Sequence, residues 1–101
     1  MMIVGISSLE LHLPASRSLK DKRRVVKSLV DKIHQRFRVS VAETDFHDLH
    51  QRAEISIAVV TNGEVEMDNL MEEIRSLVEN QPEAFLTRWD PQILEGIEGM
   101  Q

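Results

Sequence analysis

The sequence predicts an α+β domain in which two amphipathic helices lie on one face of a four-stranded antiparallel sheet, in the order β-α-β-β-α-β. Two observations carry this. Apolar residues recur at every second position in short segments and at every third or fourth position in two long ones. The long segments follow the first and third short ones, so each helix bridges a pair of strands.

The first strand spans Met2 to Leu13, where Leu9, Leu11 and Leu13 alternate with Ser8, Glu10 and His12. Its first half, Ile3-Val4-Gly5-Ile6, is apolar on both sides, which predicts a central position, and Pro14 ends it. Ser18 then offers a hydroxyl to the first turn of a helix, with Asp21 reaching back. That helix runs to Phe37 on a stripe of Leu19, Val26, Leu29, Val30, Ile33 and Phe37. The polar second strand, Val39 to Asp45, suits an edge. A connection follows from Phe46 to Gln51, longer than a tight hairpin.

The third strand, Ala53 to Val60, alternates with its bulkiest residues on one side and predicts a second central position. Asn62-Gly63 turns the chain into a helix over Glu64 to Glu79, with Met67, Leu70, Met71, Ile74, Leu77 and Val78 inward and an acidic outer face. The last strand spans Glu83 to Asp90. Pro91 closes a single domain over residues 1–91 and leaves a short tail at 92–101. Right-handed crossovers then arrange the strands 4-1-3-2, the ferredoxin-like split sandwich.

Composition excludes several functions. There are no cysteines, so disulfides, thiolate zinc sites and thiol nucleophiles drop out together, in keeping with a reducing, cytoplasmic setting. No apolar run reaches the ~20 residues that span a bilayer, and the N-terminus lacks the basic region of a signal peptide, so no membrane role is expected. The net charge of −5 conceals a separation. Between Arg17 and Arg38 lie nine basic residues against Asp21 and Asp31, a local +7 that leaves −12 for the remainder. Such lopsidedness bears on association.

Each candidate chemistry has a plainer alternative. Many sheets of this topology stack RNA bases on aromatics of the central strands, but Phe37, Phe46, Phe85 and Trp89 all lie outside them. Gly96-Ile97-Glu98-Gly99 spells a GxxG string without the flanking helices that would make it a clamp on nucleic acid. His47-Asp48-Leu49-His50 holds two imidazoles and a carboxylate, yet in a loop these serve more simply as turn residues, and no metal or cofactor is expected. Arg17 beside a helix N-terminus resembles the phosphate loop of small acylphosphatases. The third strand offers Glu54, Ser56 and Ala58 where a water-positioning asparagine is required, so hydrolysis is not expected. Walker-type loops and Gly-x-Ser-x-Gly elbows are absent. The basic helix is the remaining candidate: a stripe of Lys and Arg able to follow a phosphate backbone, against the alternative of a solvated face balanced by the acidic helix.

Three stretches carry a family resemblance: Ser18-Leu19-Lys20-Asp21-Lys22-Arg23-Arg24 opening the helix, Val39-Ser40-Val41-Ala42-Glu43 in a strand, and Gln51-Arg52-Ala53 after a loop. They resemble the YlxP-like family of small bacterial proteins, whose genes commonly lie among those for translation initiation and ribosome maturation. The chain departs from that pattern at His47 and at His50, where a larger aromatic is common. The resemblance implies a ferredoxin-like fold and a role near the ribosome or its RNA. The expectation is a non-enzymatic factor that meets ribosomal RNA or a ribosomal subunit through Arg17, Lys20, Lys22, Arg23, Arg24, Lys27 and Arg52. The alternative is a homo-oligomeric interaction or ligand-sensing module pairing through a sheet face or edge, where Ser40, Ala42, Ser56 and Ala58 permit close approach.

Overall fold

A computed structural model describes residues 1–96. The chain folds as β1 (Ile3–His12), α1 (Leu19–Phe37), β2 (Ser40–Asp45), β3 (Arg52–Thr61), α2 (Glu64–Glu79) and β4 (Phe85–Glu95). The sheet runs β2-β3-β1-β4, antiparallel throughout, which is the expected 4-1-3-2 order read from the other edge. Among the described residues no helix is long and apolar enough to cross a membrane.

Alternation sorts the central strands into two faces. Ile3, Leu9 and Leu11 of β1 and Ala53, Ile55 and Ile57 of β3 point toward the helices and are buried with Val25, Val26, Leu29 and Ile33 of α1 and Met67, Met71, Ile74 and Val78 of α2. Gly5 is placed by this packing. A Cβ there would overlap Met67 Sδ and Met71 Cε, so the missing side chain lets α2 settle on β1.

The ends of α1 follow local chemistry. Ser18 Oγ accepts from Asp21 N at 3.1 Å, and Asp21 Oδ2 accepts from Arg17 N at 3.0 Å, so two free amides are satisfied reciprocally. At the far end Arg38 caps the helix in the left-handed region at φ 53°, donating its amide to His34 O, so it closes the helix rather than extending the basic face.

The last strand differs most from expectation. It starts at Phe85 and continues through Pro91 to Glu95, with Gln92 to Glu95 paired to Ile6 through Ile3 of β1. Four residues assigned to the tail therefore belong to the sheet. Proline is compatible with an edge strand because its missing N–H can face away from the partner. The GxxG string falls on residues 96–99, all but the first of which lie outside the described residues.

Candidate nucleic-acid interface and the cage beneath it

The sequence groups seven cations into one interface, and the fold separates them. Lys20 and Arg23 are exposed on α1 and have no carboxylate partner among the described residues. Arg17, exposed just before the helix, likewise has no such partner among them. Arg24 is also exposed and bridges to Glu83 at 2.9 Å; Lys27 bridges to Asp31 one turn on at 3.0 Å. These five occupy the outer side of the helix, within ~15 Å along its axis. The remaining two point elsewhere.

Lys22 is fully buried at 0 % exposure, which removes it from any interface. It sits three residues after Leu19 and four before Val26, so the period of α1 turns it into the apolar stripe. Its Nζ donates to Phe46 O at 2.7 Å and Arg52 O at 3.2 Å, with His47 O at 3.5 Å. Glu43 Oε2 stands 3.1 Å from the same nitrogen, off the hydrogen-bonding direction, and supplies the balancing charge as an ion pair. A buried ammonium is tolerated only when carbonyls and a counterion replace its water, and here both do.

Arg52 emerges on the opposite side of the sheet from the helices. The inward-facing neighbour is Ala53, so Arg52 takes the other parity, bridging Glu10 at 2.7 Å and lying 3.8 Å from the centroid of Phe46. It is therefore not continuous with the basic helix. Phe46 holds φ 62°, a left-handed turn at a non-glycine residue, where its carbonyl receives both Lys22 Nζ and Leu49 N.

Gln51 completes the arrangement. Its Nε2 donates to Pro14 O and Ser16 O, each at 3.2 Å, and its carbonyl accepts from Leu13 N at 2.9 Å. The Gln-Arg pair after the loop and the lysine of the helix motif thus converge from distant parts of the chain. Together they clamp the β2–β3 connection to the start of α1. Glu10, Glu43, Phe46 and Gln51 belong to this cage and were not among the expected site residues. Glu43 and Gln51 were signalled as members of the strand and loop motifs, and Glu43 also as an acid sharing parity with Val41 on β2.

The same end of the molecule carries a shallow cavity of about 480 Å³ between the β2–β3 connection and β1, lined in part by Glu10, His12, Leu49, His50 and Arg52. Its imidazoles are exposed, and among the described residues no three His, Asp or Glu side chains gather as a metal site would need. Elsewhere on the open face, Arg88 and Thr44 both hold Glu54, at 3.0 and 2.5 Å, while Ser8, Ser56 and Thr44 share hydroxyl contacts. No aromatic stacking platform occurs on the central strands.

A family model described as "Protein of unknown function (DUF503)" matches residues 4–90. This chain belongs to that family. Within DUF503 it is similar to the uncharacterized protein YlxP of Bacillus subtilis (strain 168), at 27 % identity over 81 residues, covering 80 % of this chain and 88 % of the relative. Among solved structures it is similar to a de novo designed protein with a ferredoxin fold, at 15 % identity and a TM-score of 0.48, covering 96 % of this chain and 88 % of that one. The DUF503 match takes in the whole cage, from Glu10 through Lys22 and Glu43 to Arg52.

Proposed function

We propose that this DUF503 protein is a non-enzymatic factor that binds RNA, in the setting of the ribosome or its maturation, through the outer face of α1. The observation that carries the reading is the exposure of Lys20, Arg23, Arg24 and Lys27 on the first half of one helix, with Arg17 exposed just before it. Lys22 and Arg52 are withdrawn from the binding set because their cations face the core and the far side of the sheet.

Two of the five outer cations already have carboxylate partners, which tests the reading. Both pairs are well exposed: Arg24 and Glu83 at 67 % and 45 %, Lys27 and Asp31 at 79 % and 51 %. Pairs of this kind contribute about 0–1 kcal/mol, so a phosphate that releases counterions displaces the carboxylate at little cost. Counting Glu43 and Glu83 against the +7 of the 17–38 segment still leaves that region at +5. The role of the clamped 46–51 connection is to present a rigid shoulder beside the first turns of α1 and fix the orientation of the bound surface.

The test is binding to ribosomal subunits and to structured RNA across a salt series. Four to five phosphate contacts predict a log–log salt slope of about −3 to −4. Replacing Lys20, Arg23, Arg24 and Lys27 together by Ala is expected to abolish binding at physiological salt while leaving the fold intact. Absence of binding at low salt, or equal affinity of the fourfold variant, defeats the proposal.

A second reading, a homo-oligomeric interaction or sensing module, is favoured by one feature of the open sheet face. Val60 and Leu94 are exposed at 62 % and 48 % near a shallow groove of about 400 Å³ lined by small residues including Ser40, Ala42, Ser56 and Ala58. Sedimentation at low concentration separates the readings, since a tight dimer without RNA affinity supports only the second.

A further inference from the structure

We propose that the free edge of β2, together with the groove between it and α1, is a docking site for an extended acidic peptide from another protein, which adds to the sheet as a fifth strand. The inference goes beyond RNA binding and rests on a comparison of the two sheet edges. β4 is blunted in the ways edge strands are protected: it carries Arg88, Asp90 and Pro91, and its register with β1 shifts at Thr87. Over its first four residues β2 carries one such device, the inward-pointing Glu43, whose charge is already held by Lys22. Ser40, Val41, Ala42 and Glu43 pair regularly with Ala58, Ile57, Ser56 and Ile55, with no proline, no lysine and no shift before Thr44. Its outward backbone groups form a template for another strand.

The groove beside this edge specifies the side chains of the added strand. It has a volume of about 360 Å³ and is lined by Val26 and Val30, with Arg23 and Lys27 on the helix side and Glu43 on the strand side. Val26 and Val30 stand one helical turn apart, ~6 Å, close to the ~7 Å between same-face side chains of a strand. Arg23 and Lys27 repeat the spacing. An added strand therefore places aliphatic and acidic side chains at its groove-facing positions, the acids meeting Arg23, which has no carboxylate partner among the described residues, and Lys27, whose partner Asp31 is exposed.

Charge also argues against a second copy as the occupant. Pairing β2 with its own symmetry mate brings two Arg23–Lys27 rows together, whereas pairing β2 with another copy's β4 matches basic α1 to acidic α2 but meets Pro91 and the irregular β4 edge. The fitting partner is a foreign acidic segment.

The experiment uses the full chain, isotope-labelled, and a blocked peptide of sequence Glu-Thr-Val-Thr-Glu-Thr, whose groove-facing positions are acidic, aliphatic and acidic. At about 1 mM peptide, near the weak end of peptide recognition, the amides of Ser40 to Glu43 are expected to shift and gain exchange protection. The counterpart with Lys in place of Glu should bind about tenfold more weakly or worse, as should the original peptide on the exposed double variant Arg23→Glu with Lys27→Glu. N-methylation of alternate peptide amides should remove binding altogether. Unshifted β2 amides, shifts confined to another face, equal binding of the two peptides, or sedimentation showing β2 already covered by a second copy would each overturn the inference.

Discussion

Lys20 and Lys22 are two residues apart in one motif, carry the same charge, and do unrelated things. The first projects into solvent; the second is sealed beneath the helix with three backbone carbonyls and Glu43 around its ammonium. The difference is a rotation of 200° about the helix axis, enough to carry one lysine from the solvated side to the core. Charge counted along a segment is therefore not charge presented at a surface. The same holds for Arg24 and Arg52, one beside the acid Glu83 on the helix side, the other stacked on Phe46 across the sheet.

The sharpest way to break this contrast is to remove the buried cation. Lys22→Ala leaves Glu43 without its counterion and takes the ammonium from the Phe46 and Arg52 carbonyls, of which Phe46 O keeps Leu49 N, and the loss of a buried pair's member is expected to destabilise the fold by about 3–5 kcal/mol, read from urea unfolding. If the loss stays under about 1 kcal/mol, the cage is not structural. Arg52→Ala removes a stacked cation and a partly exposed ion pair and should lower stability by about 1 kcal/mol. Its RNA affinity should stay unchanged, since its guanidinium faces away from α1. Lys20→Ala and Arg23→Ala should each alter stability by no more than about 0.5 kcal/mol, while under the proposed function each is expected to weaken RNA binding; a thermal shift comparable to that of Lys22→Ala would erase the contrast.

The smallest expected effect concerns the acidic side of the molecule. A hydrogen bond and repulsion from Glu64 raise the pKa of Glu95 above its ordinary 4.5, with a lesser contribution from Asp68. A carboxyl raised in the folded state stabilises the folded form at low pH and loses that contribution as the pH climbs through its shifted value. The end of β4 should thus fray slightly as the solution is made neutral. Amide exchange at Leu94 and Glu95 reads the effect, which Glu95→Gln should flatten.

Much of the fold was legible in residue periodicity. The stripes of α1 and α2 and the apolar central strands lead directly to the observed sheet order, and Leu19 to Phe37 is the helix the pattern predicts. Pro91 misleads as a terminator because nothing local distinguishes an edge strand, where proline is tolerated, from a strand's end. The burial of Lys22 left a trace, since it interrupts the apolar stripe one turn after Leu19, and Glu43 faces inward beside Val41. That these two meet each other, and the carbonyl of Arg52, is a long-range property. Period assigns each residue a side; only the assembled sheet brings the sides of α1 and β2 together with the 46–52 connection.

Side-chain carbon–proton spectra of the lysines beside their nitrogens, recorded while structured ribosomal RNA is titrated in, test the division most directly. The Cε–Hε signals of Lys20 and Lys27 are expected to move and broaden in a salt-dependent way while that of Lys22 stays in place. Movement of Lys22 together with its neighbours, or silence from all three, would contradict that division.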